Sequence, residues 1–153
     1  MSGLENRELP WGGGTNICSN IVTPECHLIE IGSNVTIANN VQLITHDNSI
    51  SKVLPDTSDL FGKIVIGDNC FIGARSIIMY GIELAPNTIV AAGSVVTKSF
   101  PEGNIVIGGN PAKVITTWEK FAEKNRDLAW DLSKYTREEE IRMHRDCIKL
   151  VKR

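Results

Sequence analysis

The stretch "IGDNCFIGARSIIMYGIELAPNTIVAAGSVVTKSFP", residues 66–101, decides the fold. Ile66, Ile72, Ile78, Leu84, Val90 and Val96 recur in one six-residue frame. The residue after each is mostly small: Gly67, Gly73, Met79, Ala85, Ala91, Thr97. Four places after each come Cys70, Ser76, Ile82, Thr88, Ser94 and Phe100, which are mostly compact. A helix repeats near 3.6 residues and a strand near 2, so a period of six is neither. It fits one very short strand and one corner per hexapeptide. Three such units close a triangular coil, and coils stack into a parallel β-helix. An ordinary antiparallel sandwich would not hold one frame over so many units.

The same frame runs upstream through Ile31, Ile37 and Leu43, with Ile29, Val35 and Val41 two residues ahead of each. Ser33-Asn34, Asp68-Asn69 and Pro86-Asn87 supply turn chemistry at corners. The frame stops at "ITHDN", residues 44–48, and is lost over "DNSISKVLPDTSDLFG", residues 47–62. Such an excursion from a regular prism is a candidate functional loop. The frame resumes at Ile64 and fades after Val96; a last strand is expected around Ile105 to Ile107, then a turn at Gly108-Gly109-Asn110-Pro111.

The domain reading follows. Residues 1–15 form a loosely ordered arm, because Gly12-Gly13-Gly14 holds no regular element cheaply. Residues 16–116 form the β-helix, with the excursion at 47–62. Residues 117–153 form a helical extension, with helices near 117–129 and 137–151. Thr136 and Glu139 make a capping box for the second, and Ile141, His144, Ile148 and Val151 share one of its faces.

Composition narrows the function. Aromatic content of 6% suits a narrow core of branched aliphatics. A net charge of -2 offers no field for nucleic acid. No apolar run nears the ~18 residues of a membrane span, and no signal peptide is visible, so a cytoplasmic protein is expected. Cys18, Cys26, Cys70 and Cys147 form no metal-binding spacing and read as reduced, mostly buried residues.

The hexapeptide run, "AAGSVVTK" at 91–98 and "GGNPAKVI" at 108–115 together resemble the hexapeptide-repeat acyltransferases. Within that family the chain is most similar to maltose and galactoside O-acetyltransferases and to small sugar O-acetyltransferases of surface polysaccharide biosynthesis. The resemblance covers residues 16–116 and implies a left-handed parallel β-helix, an exception to the usual right-handed crossover. It also implies a homotrimer with sites between subunits, acetyl coenzyme A as co-substrate, a sugar-containing acceptor, and no metal. Its general base matches His46; histidine titrates near neutrality and so suits proton abstraction from a hydroxyl. Ala74, Ala92, Thr97, Lys98 and Lys113 match coenzyme contacts, with Arg75 a further candidate. Asn20 and Phe71 match acceptor-side positions. Thr116 stands where the family often has Arg, so that phosphate contact is either missing or replaced by Lys113 or Lys120. Asp47 is adjacent to His46, but neighbouring side chains on extended chain diverge, so the residue orienting the base is expected elsewhere. His27 and His144 have no comparable setting.

Alternative functions on this fold are antibiotic-modifying acetyltransferases, which usually carry a longer excursion, and amino-sugar N-acetyltransferases, which usually carry a further N-terminal domain, as serine acetyltransferases also do. A γ-type carbonic anhydrase needs three imidazoles at one metal, and His27, His46 and His144 show no paired spacing. A non-catalytic scaffold is the remaining class.

Overall fold

The computed structural model describes residues 11–21, 23–129, 131, 133, 138 and 153. The chain divides after Trp118 into two units.

The first unit is a three-faced prism of parallel strands. On one face stack β1 (Asn16–Ile17), β3 (Thr36–Ile37), β8 (Phe71–Ile72), β11 (Thr88–Val90) and β13 (Ile105–Gly109). The next face holds β4 (Gln42–Leu43), β9 (Ile77–Ile78) and β12 (Val95–Val96). The third holds β2 (Ile29–Ile31), β7 (Ile64–Ile66) and β10 (Glu83–Leu84), extended by single bridges to Trp11 and Phe100. Regular coils bring residues 18 apart together, as at Asn69 and Asn87. Across the excursion the separation becomes 35, as at Asn34 and Asn69.

Every framed aliphatic from Ile66 to Val96 is at most 1% exposed. The positions four residues on are buried as well, from Cys70 to Phe100. Each hexapeptide therefore drives two side chains inward. Where the second is polar, a local acceptor satisfies it: Ser76 and Ser94 donate to the Ala91 carbonyl, and Thr88 donates to that of Ala85. Burial would otherwise leave each hydroxyl costly.

One edge of the prism is held by asparagines. Asn34, Asn69, Asn87 and Asn104 all sit at φ between 54 and 60°. Asparagine tolerates this left-handed turn because its side chain bonds locally. Here the amides bond along the axis instead. Asn34 Nδ2 donates to Asn69 Oδ1 (2.7 Å), Asn69 to Asn87 (2.8 Å), and Asn87 to Asn104 (2.9 Å).

Three features depart from the sequence reading. The stacking reaches into the segment read as a loose arm: Trp11 bridges Ile31, and the Gly12 N–H donates to the Ile31 carbonyl at 3.1 Å. The turn at residues 108–111 is followed by a strand that was not expected, β14 (Ala112–Thr117), antiparallel to β13. Of the three described cysteines only Cys70 is buried; Cys18 is exposed and Cys26 intermediate. Burial pushes the Cys70 thiol up, which keeps it inert. Cys147 lies outside the described residues.

The second unit starts within α1 (Trp118–Asn125), which continues as a 3₁₀ turn at Arg126–Leu128 where a helix over 117–129 was expected. The expected helix at 137–151 lies outside the described residues except for Glu138. Among the described residues no helix is long and apolar enough to cross a membrane.

Candidate active site

The excursion leaves the prism directly after β4. Thr45 still points inward and is 2% exposed. His46 and Asp47 then form β5, which pairs antiparallel with β6 (Leu60–Phe61), so that His46 faces Phe61 and Asp47 faces Leu60. The residues between fold over a 3₁₀ turn at Ser49–Lys52. On its return the chain passes Gly62, whose N–H donates to the Thr45 carbonyl at 3.0 Å. A Cβ at Gly62 would lie 2.4 Å from the Gly81 nitrogen and 2.9 Å from the Tyr80 carbonyl carbon. Glycine is required there because two backbones touch.

His46 thus stands on a two-stranded neck anchored at both ends. Its side chain is 42% exposed, open to a substrate. Nδ1 lies 2.9 Å from Glu25 Oε2. That carboxylate oxygen also accepts from Thr45 Oγ1 at 2.8 Å and Thr23 Oγ1 at 3.3 Å. The two threonine hydroxyls lie 2.9 Å apart. The Phe61 ring is 5.8 Å from the imidazole, tilted by 38°. The Thr45 hydroxyl, foremost, and His46 hold the Glu25 carboxyl below the usual carboxylate range, against a partial desolvation. Asp47 is also held low, chiefly by the Ser49 backbone N–H at 2.8 Å. Its Oδ1 is taken up by that N–H, and it makes no hydrogen bond to the imidazole among the described residues.

Glu25 is the residue that the sequence reading missed. Counting back six from Ile31 lands on it, where the sequence frame calls for an aliphatic residue. That broken slot was the available signal. The coil also carries extra length there. Stacked residues at this end of the prism lie 20 apart, as at Thr15 and Val35, rather than 18. The surplus falls in the segment between β1 and β2, which bulges through a 3₁₀ turn at Cys26–Leu28.

The other candidates are placed as follows. Leu43, Ile78 and Val96 stack in register on one face. His46 leaves the end of that face, and Thr97 and Lys98 occupy the same end two coils on. Two strand spacings make this about 10 Å along the axis. Thr97 and Lys98 are exposed, and Lys98 Nζ lies 5.5 Å from the Phe100 ring centroid, which holds the ammonium by cation–π attraction. Ala74 and Ala92 stack at the opposite end of the face, beside Arg75 at φ 60° and Gly93 at φ 73°. The Gly93 N–H donates to the Ala74 carbonyl at 2.8 Å, and a Cβ built on Gly93 would meet nothing within 4 Å. The wall there is small and open. Lys113 is exposed on β14. Asn20 is exposed on the segment after β1, and Phe71 is 42% exposed on the face of β3 and β8. Within one chain the structure brings Glu25 and Phe61 to the imidazole, and neither Asn20 nor Phe71. His27 is exposed on the 3₁₀ turn, and His144 lies outside the described residues.

Comparison with known proteins agrees with this architecture. The family described as the hexapeptide repeat of succinyl-transferase matches residues 63–98. Protein CapG of Staphylococcus aureus is 47% identical over 103 residues, covering 65% of this chain and 59% of that protein. The crystal structure of a maltose O-acetyltransferase from Clostridium difficile 630 superposes with a TM-score of 0.62 at 34% identity, covering 70% of this chain and 57% of that one. A hexapeptide-repeat-containing acetyltransferase from Vibrio cholerae O1 biovar eltor, complexed with acetyl coenzyme A, gives 0.58 at 28% identity, covering 70% of this chain and 58% of that one. The chain therefore spans less than two thirds of each. The fold they share is the left-handed β-helix.

Proposed function

We propose that this hexapeptide-repeat chain, with its left-handed β-helix, is an acetyl-coenzyme-A-dependent O-acetyltransferase acting on a sugar-containing hydroxyl. The observation that carries the reading is His46: an accessible imidazole on a braced neck, with one nitrogen bound to a carboxylate and the other available. The similarity to a maltose O-acetyltransferase supports the hydroxyl acceptor. The similarity to an acetyltransferase complexed with acetyl coenzyme A supports the donor.

Acetyl coenzyme A supplies an acetyl group activated as a thioester. The residues present fit it. Ala74, Ala92 and Gly93 leave an open wall on which amides can lie. Thr97 and Lys98 offer a hydroxyl and a held cation toward phosphate, with Lys113 as a second cation. His46 Nε2 takes the proton of the acceptor hydroxyl and raises its nucleophilicity as the new ester forms. The imidazolium then holds a proton for the departing thiol. No acyl-enzyme is required, since among the described residues no serine or cysteine is paired with a base at this site.

Phe61, 59% exposed beside the base, gives an apolar sugar face a surface to pack on. Exposed Val53, Leu54, Leu60 and Phe61 on the excursion, Phe71 on the prism, and Val114 and Ile115 on β14 fit burial between copies, as a homotrimer with shared sites requires. Asn20 and Phe71 belong to the acceptor side in that assembly. Thiol release from acetyl coenzyme A across a panel of sugars and nucleotide sugars tests the activity. Light scattering tests the assembly; an active monomer contradicts it.

A further inference from the structure

We propose that Glu25 is a positioning residue that fixes the tautomer and orientation of His46; this rests on the reading of His46 as the base. An ionised carboxylate only accepts hydrogen bonds, so at 2.9 Å Nδ1 must carry the proton and donate it. The lone pair of a neutral ring is then confined to Nε2, on the side away from Glu25. A ring free to choose would spend time with Nε2 protonated, and that form cannot accept the proton of a hydroxyl.

The carboxylate is itself fixed. Its Oε2 is met by two hydroxyls besides the imidazole, from Thr45 and Thr23. Thr45 is almost wholly buried, so its hydroxyl has few other directions in which to donate. The Glu25 N–H bonds Thr23 Oγ1 at 3.3 Å, which ties the backbone to the same cluster. The supporting segment departs from the prism's own spacing, with 20 residues between stacked partners where regular coils use 18. A prism needs no lengthened coil; presenting a carboxylate to the next coil does. Among the described residues, the titratable groups facing the ring are Glu25 from the preceding coil and Asp47 beside it on β5, with Tyr80 near Asp47. Asp47 accepts from the Ser49 N–H, and of these groups Glu25 is the one bonded to the imidazole. The Thr45 hydroxyl, foremost, holds its carboxyl below the ordinary range, which favours the ionised, accepting form.

The test is made on the full chain labelled with ¹⁵N in its histidines. Long-range proton–nitrogen spectra report which ring nitrogen is protonated, and the His46→Ala spectrum identifies the His46 signals by their loss. The expected wild-type ring is protonated at Nδ1. In Glu25→Ala the ring should shift toward protonation at Nε2, with the fold retained by circular dichroism. Glu25→Gln, which preserves shape and a carbonyl acceptor, serves if the alanine variant does not fold, and should retain part of the Nδ1–H population. With maltose and a galactoside as probe acceptors, kcat should fall about tenfold to a hundredfold in Glu25→Ala, with KM for acetyl coenzyme A unchanged. An unchanged tautomer in both Glu25 variants overturns the proposal, whatever the probe acceptors do. Full turnover in His46→Ala overturns the base reading instead, so the two failures are distinguishable.

Discussion

Replacing Asn69 by alanine should cut the asparagine ladder at its middle. The side chain accepts from Asn34 and donates to Asn87, so two hydrogen bonds are lost. Both are exposed, which places each near the low end of net hydrogen-bond values, about 0.5 kcal/mol. Alanine must also adopt φ 57°, a left-handed conformation costing about 1 kcal/mol for a residue with a plain Cβ. The expected loss is therefore about 2 kcal/mol, or roughly 4–8 °C in Tm for a chain of this size. Asn69→Gly separates the two causes. It loses the same bonds and escapes the left-handed cost, with a smaller charge for glycine's chain entropy, so its loss should be about 0.5–1 kcal/mol less than alanine's. The Asn69 N–H to the Ser33 carbonyl, at 2.9 Å, is untouched in both. Equilibrium urea unfolding followed by circular dichroism at one fixed protein concentration measures both values. An alanine variant within 0.5 kcal/mol of wild type refutes the ladder's contribution. A glycine variant less stable than the alanine one refutes the backbone argument.

Gly62→Ala should destabilise by about 1–3 kcal/mol, because its Cβ meets backbone rather than a movable side chain, and a scan showing no Tm change contradicts that packing. Lys98→Ala should raise the KM for acetyl coenzyme A several-fold, by about 1 kcal/mol or less, and the effect should shrink with added salt. A shortened donor without the 3′,5′-ADP end should be indifferent to that substitution; equal losses for both donors contradict the placement of Lys98. Glu25 and Asp47 are held below their ordinary range by the Thr45 hydroxyl and the Ser49 N–H, so the stability they add is present above the unfolded carboxylate range. It is lost as pH falls through their folded values. Tm should therefore drop more steeply below about pH 4 in wild type than in a Glu25→Gln, Asp47→Asn double variant, and parallel curves contradict this.

Much of the prism was legible because its constraint is local and periodic. One frame put Ile66 to Val96 inward, and the turn chemistry at Ser33-Asn34, Asp68-Asn69 and Pro86-Asn87 marked corners that do take positive φ. The ladder was not legible, since it joins residues 17, 18 and 35 apart, and the last distance depends on the excursion's length. Strand β14 was missed because Lys113 to Thr117 shows no alternation of buried and exposed positions; it is placed by pairing with β13. At the site, His46 was marked by the break in the frame, whereas Glu25 reaches it from another coil through a lengthened segment. Phe61 was hidden similarly, because its place opposite His46 follows from hairpin register.

The most direct test of His46 as general base is the kcat of His46→Ala, taken with the protein's equilibrium affinity for acetyl coenzyme A. Loss of a positioned base should lower kcat by about 10²-fold or more while that affinity is retained. A variant that turns over at the wild-type rate would contradict the account.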